Sequence, residues 1–167
     1  MRTPDEEIGS TCPTKGRSRP FDGGMNLASG KLKDLLNAAI AREMQVSIQY
    51  MWQHVQWIGV DHFSVSDKMR DIAIEEMKHA EKIAERLWYL DGVPTTKPTE
   101  IKVGGELKEM IDYDIKAEEE AIDLYKQIED VADAEKDPTT RFIFEGILEQ
   151  EEDHHDFFTS VKMGWKK

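Results

Sequence analysis

The sequence predicts an all-α protein, a bundle of four long helices paired as two antiparallel hairpins joined by one long crossover. Three observations carry that expectation. Apolar residues recur at helical spacing along four stretches, as in Met69, Ile72, Ile83, Leu87 and Leu90. Each stripe is interrupted near its middle by a carboxylate: Glu43, Glu76, Glu118 and Glu151. The interruptions also repeat, since Glu43 precedes Glu76 by 33 residues and His79 by 36, and Glu118 precedes Glu151 and His154 by the same 33 and 36. Tyr50 and Tyr125 each follow their glutamate by 7 residues, so two halves offset by 75 residues carry one pattern.

Residues 1–27 are poor in apolar side chains and rich in Gly, Pro, Ser, Lys and Arg; they read as a flexible tail, leaving residues 28–167 for the bundle. Ser29 is placed to cap a first helix that runs to about Trp57, with Gly59 ending it. Ser64, with Asp67 three residues on, is placed to cap the second, and Asp91, Gly92 and Pro94 stop it. Residues 93–105 hold prolines, threonines and glycines and read as an ordered, extended loop. At about 3.3 Å per residue such a segment reaches about 43 Å, close to the length of a helix of about 28 residues, so it can cross the whole bundle. The third helix is expected over about 106–134 and the fourth over about 138–161, with Pro138 at a first-turn position.

A formal charge of −12 argues against nucleic-acid binding, which needs clustered Lys and Arg, and favours attraction of cations. Cys12 is the only cysteine, which excludes an intrachain disulfide, a cysteine-based zinc site and a rubredoxin-like iron centre. No apolar run approaches the length of a membrane span and the N-terminus lacks the features of a signal peptide, so a cytoplasmic protein is expected.

Burying an ionised carboxylate without a positive partner costs several kcal/mol or more, so four inward glutamates demand cations. Glu76 with His79, and Glu151 with His154, place two side chains one turn apart on one helix face, the spacing at which both reach one metal. With Glu43 and Glu118 the set supplies −4, which two divalent ions neutralise. Oxygen ligands with one imidazole per metal suit iron or manganese better than copper. Glu152 and His155 form a third such pair one residue out of register, expected to face outward. His54 is expected as a core residue, and Asp71 and Glu75 as a solvated face, the alternative being that they guide iron inward. Met77 lies about 100° round the helix from Glu76, on a strip with Ala73, Ala80 and Ala84 that leaves a flat surface for a partner helix or a planar ring.

Over about Leu32 to Val161 the chain resembles the bacterioferritins, members of the ferritin-like class of four-helix bundles. The strongest stretches are EEMKHAEKIAERLWYLDGVP from Glu75, LEQEEDHHDFF from Leu148 and REMQVSIQY around Glu43. The resemblance implies a di-iron ferroxidase centre in which Glu76 and Glu151 bridge two Fe ions per subunit. Glu43 and His79 would complete one shell, Glu118 and His154 the other. Tyr50 is either an electron or hydrogen-bond donor to this centre or a packed core tyrosine. Met77 matches a methionine that ligates an iron porphyrin, of haem b or coproporphyrin type, at a two-fold interface; the alternative is an ordinary interface methionine.

The implied function is oxidation of Fe(II) to Fe(III) by O2 or H2O2 and storage of ferric mineral in a hollow homo-oligomer, with an electron donor for iron release. The alternative is a di-iron peroxidase or oxygenase without mineral storage. The sequence departs from the family at its end. Only 13 residues follow His154, too few for the fifth helix that lines the four-fold axes of a 24-subunit shell, so a shell of twelve is expected.

Overall fold

A computed structural model describes residues 28–165 apart from 60 and 61, and the backbone alone of 62–64. The expected tail, with Cys12, lies outside the described residues. Four helices follow in order: α1 (Gly30–Gln56), α2 (His62–Tyr89), α3 (Leu107–Ala134) and α4 (Pro138–Gly164). Among the described residues there are no strands.

The helix ends follow from local chemistry. Ser29 caps α1 by accepting from the Leu32 amide at 3.1 Å, and Asp137 caps α4 by accepting from the Thr140 amide at 3.0 Å. The second helix differs from expectation: it starts at His62, so Ser64 lies within its first turn and is not its cap. The fourth helix runs three residues past Val161, to Gly164.

Both hairpin helices end in the same left-handed motif. After α2, Asp91 takes a φ of 58°, and the Gly92 amide donates back to the Leu87 carbonyl at 2.9 Å. Gly92 is required by space: a Cβ there would meet Leu87 Cδ1 at 2.1 Å. After α3, Lys136 takes a φ of 59° and the Asp137 amide returns to the Ala132 carbonyl at 2.8 Å. A lysine in this conformation is strained, because its Cβ crowds the backbone.

The long connection between α2 and α3 lies along α1. Asn37 holds its start, donating to the Val93 carbonyl at 3.1 Å and accepting from the Thr95 amide at 2.8 Å. Further on, the Thr99 amide donates to the Ala41 carbonyl at 3.1 Å, the Lys102 amide to Gln49 at 3.1 Å, and Gln53 to the Val103 carbonyl at 3.0 Å. The segment therefore turns α3 back alongside α1, while α1 packs chiefly on α2 and α3 chiefly on α4.

The core is split in two. Leu36, Ile83, Leu87, Tyr125, Ile128 and Phe144 belong to one buried cluster, and Val46, Tyr50, Met69, Ile72, Ile111 and Phe158 to the other. Each such side chain contributes about 1.5–3 kcal/mol on burial, which offsets the cost of the polar layer between the clusters.

Candidate metal centre

Between the two apolar clusters the four stripes turn polar. Glu43 of α1, Glu76 and His79 of α2, Glu118 of α3, and Glu151 and His154 of α4 are all buried there. One ligand-type atom from each of Glu43, Glu76, His79 and Glu151 lies within 4.8 Å of the others, and the same holds for Glu76, Glu118, Glu151 and His154. The two groups share Glu76 and Glu151. Each group thus offers one histidine, one carboxylate of its own and two shared carboxylates, which suits a pair of adjacent ions.

The imidazoles face the shared carboxylates. His79 Nδ1 lies 2.9 Å from Glu76 and 3.0 Å from Glu151, and His154 Nδ1 lies 3.0 Å from Glu76. Their outer nitrogens are held too, His79 Nε2 by Gln150 and His154 Nε2 by Glu75 at 2.9 Å. Such outer partners fix ring orientation. Glu75 keeps part of the solvated role expected of it, being only half-buried, but its carboxylate also meets His154, while Asp71 is exposed. Gln150 and Glu75 are themselves offset by 75 residues, so each half orients the other half's histidine.

The tyrosines cross between halves. Tyr50 of α1 donates its hydroxyl to Glu118 of α3, and Tyr125 of α3 donates to Glu43 of α1.

Arg42, like Gln150, is absent from the sequence expectations. Arg42 is buried, donates to the Ala117 carbonyl and to Glu118 Oε2 at 3.0 Å, and stands 3.7 Å from both Glu43 and Glu151. Its signal in the sequence is weak, since a lone arginine beside an inward glutamate reads as a solvated neighbour. A clue is that Arg42, Gln49 and Gln53 form a polar strip at helical spacing beside the apolar one. Arg42 also corrects the charge balance expected above: the cluster carries −3 with its resident cation, so two divalent ions bring it to +1.

Electrostatics without metal are those of a crowded acid cluster. Burial, then the neighbouring charges of Glu151 and Glu76, raises Glu43 and Glu118 well above the ordinary carboxylate range. Burial also works against charge on Glu76, but the contacts with His154 and His79 outweigh it and hold Glu76 ionised and depressed. Burial disfavours charge on His79 as well, yet hydrogen bonds to Glu151 and Glu76 lift it to about 10. For Arg42, burial is overcome by Glu118, Glu43 and Glu151, so its guanidinium stays charged.

The donor set fits a metal pair. Glu43 Oε2 and Glu151 Oε2 are buried and take part in no hydrogen bond, and Glu76 Oε1 and Glu151 Oε1 meet only the Nδ1 atoms of His154 and His79. Leaving these acceptors unused is costly unless cations take them.

The remaining expected residues fall outside this cluster. Met77 is 58% exposed on the outer side of α2, with Ala73 buried and Ala80 and Ala84 half-buried along its strip. His54 is half-buried, its Nδ1 2.8 Å from the Ser66 hydroxyl. Glu152 is exposed, 4.0 Å from Lys126, and His155 lies 3.8 Å from Glu119.

Comparison with known proteins agrees with this geometry. The ferritin-like domain family matches residues 33–162. The bacterioferritin of Desulfovibrio desulfuricans is 34% identical over 132 residues, covering 78% of this chain and 74% of that protein. The bacterioferritin of Rhodobacter capsulatus is 33% identical over 132 residues, covering 76% and 80%. The crystal structure of the D. desulfuricans protein, which captures its diiron site in different catalytic states, superposes with a TM-score of 0.77 at 33% identity over 81% of this chain and 80% of its own. That of the R. capsulatus protein, with a metal-free dinuclear site and a haem iron in a crystallographic special position, gives 0.75 at 29% identity over 83% and 88%. Sequence, fold and the buried pair of ligand groups together place this chain in the ferritin-like family, among the bacterioferritins.

Proposed function

We propose that the chain is the subunit of an iron-storing ferroxidase. Its substrate is Fe(II), its oxidant O2 or H2O2, and its product ferric mineral held inside a homo-oligomer. The observation that supports this most is the pair of ligand groups sharing Glu76 and Glu151. In this reading Glu43 and His79 hold one iron, Glu118 and His154 the other, and the shared glutamates keep the two adjacent. Two adjacent ferrous ions supply two electrons together to a bound oxidant.

The protein's own part is binding, orientation and exclusion of water. Gln150 and Glu75 present the histidines, Tyr50 and Tyr125 fix the terminal carboxylates, and the apolar clusters above and below keep the layer dry. Tyr50 is close enough to Glu118 to pass it a proton or hold its charge.

Met77 is proposed to bind iron porphyrin between two copies of the chain, supported by its exposure on an alanine strip and by the haem of the R. capsulatus relative. Ile48, Trp52 and Val55, exposed at helical spacing on α1, support self-association. The subunit number, twelve on the expectation above, is read from the mass of the assembly. No helix among the described residues is long and apolar enough to cross a membrane, and a cytoplasmic location is proposed.

The test is ferrous oxidation followed by iron retention. Rapid oxidation with many irons kept per subunit, both lost in Glu76→Ala, is the expected result. Oxidation at the parent rate in that variant would move the centre elsewhere. Two irons and peroxide turnover without mineral would favour the di-iron peroxidase.

A further inference from the structure

The six candidate ligands match residue for residue at an offset of 75, but the charged groups around them do not. Glu43 corresponds to Glu118, Glu76 to Glu151 and His79 to His154, but Arg42 corresponds to Ala117. The arginine reaches across to the other half, bonding both the Ala117 carbonyl and Glu118.

The two terminal carboxylates are consequently in different states. Glu118 has both oxygens engaged, Oε1 by Tyr50 and Oε2 by Arg42. Glu43 accepts from Tyr125 on Oε1 and keeps Oε2 without a hydrogen bond. Resting on the di-metal reading above, we propose that Arg42 makes the two metal positions unequal: the Glu43 and His79 position fills first, and the Glu118 and His154 position is the weaker one. A cation entering beside Glu118 must displace or share a ligand oxygen with a buried guanidinium, and it meets that positive charge at close range.

Two features act the other way, the first being that Arg42 also stands 3.7 Å from Glu43 Oε1, though farther than its 3.0 Å from Glu118 Oε2. The second is that His154 is backed by the carboxylate of Glu75, whereas His79 is backed by the neutral amide of Gln150. The Glu75 side chain is 39% exposed and acts through the width of an imidazole, so solvent screens it. Arg42 is buried and touches the ligand itself. Its effect is therefore the larger.

The experiment is a titration of the metal-free, full-length oligomer with Co(II), a redox-stable divalent ion, followed by calorimetry and visible absorbance. The parent should bind one ion per subunit tightly and a second at least about tenfold more weakly. His154→Gln should remove the weaker step and His79→Gln the tighter. Arg42→Gln should tighten the second step by about tenfold or more, while Arg42→Lys, which keeps the charge, should preserve much of the gap. Two equal steps in the parent, the reverse assignment by the histidine variants, or an unchanged gap in Arg42→Gln would each overturn the inference while leaving the di-metal reading intact. Failure to bind two ions at all would overturn both. Should Arg42→Gln not fold, the parent's two steps and their assignment still decide.

Discussion

Tyr50 donates its hydroxyl to Glu118, on a different helix, and not to Glu43, the glutamate seven residues before it in its own stripe. Tyr125 and Glu43 repeat the relationship in the opposite sense. Each half of the molecule thereby holds the other half's terminal carboxylate, which ties α1 to α3 at the level of the site. Tyr50→Phe should leave a buried carboxylate oxygen without its donor and lower the stability of the metal-free protein by about 1–3 kcal/mol, with a similar loss for Tyr125→Phe. Denaturant unfolding of the metal-free variants measures this. A near-neutral result for both would reduce the tyrosines to packing.

Much of this was legible in the sequence because repetition is hard to produce by chance. The spacings of 33 and 36 residues, twice over, located all six proposed ligands, and the length of the 93–105 segment gave its course along the bundle. What escaped were contacts made across helices. Arg42 looks solvated until α3 is laid beside α1, and Glu75 looks solvated until His154 of α4 arrives. Ser64 and Asp67 mimic a cap inside a helix that has already begun at His62, so the start of α2 is not legible from them.

Asp114 carries a second prediction. It occupies an inward position of α3, one turn before Glu118, and is fully buried with one oxygen accepting from Gln49 at 2.9 Å and the other in no hydrogen bond. Burial pushes its carboxyl up to about 8 from an ordinary 3.8. A raised folded value means that its contribution is most favourable below about pH 3.8 and is lost as pH rises through about 8. Asp114→Asn should therefore change stability little in acid and raise it increasingly toward pH 8, reaching a plateau above. Melting temperatures of both metal-free proteins across that range check the sign.

The third prediction concerns metal and proton competing for the same atoms. His79 is held protonated up to about 10, so the stability from its contacts with Glu76 and Glu151 is full below its ordinary value and fades as pH rises through about 10. A metal ion needs the neutral ring. The rise in melting temperature on adding Co(II) should accordingly grow between pH 6 and pH 9, with protons released on binding. A metal-induced shift that falls with pH would contradict this.

The turn between α3 and α4 offers a fourth, independent of the site. Lys136, at a φ of 59°, should gain about 0.5–1 kcal/mol on replacement by glycine. Gly92→Ala should destabilise, because its Cβ would collide with Leu87. Unfolding of the two variants beside the parent measures both.

The central claim is that two cations bind side by side in the buried layer between Glu43, Glu76, His79, Glu118, Glu151 and His154. Anomalous diffraction from crystals loaded anaerobically with Fe(II), recorded at the iron edge, tests it directly. The account predicts two peaks per subunit inside that layer, each next to one histidine and both next to Glu76 and Glu151. Peaks confined to the outer surface, or a loaded crystal with none between those six side chains, would contradict it.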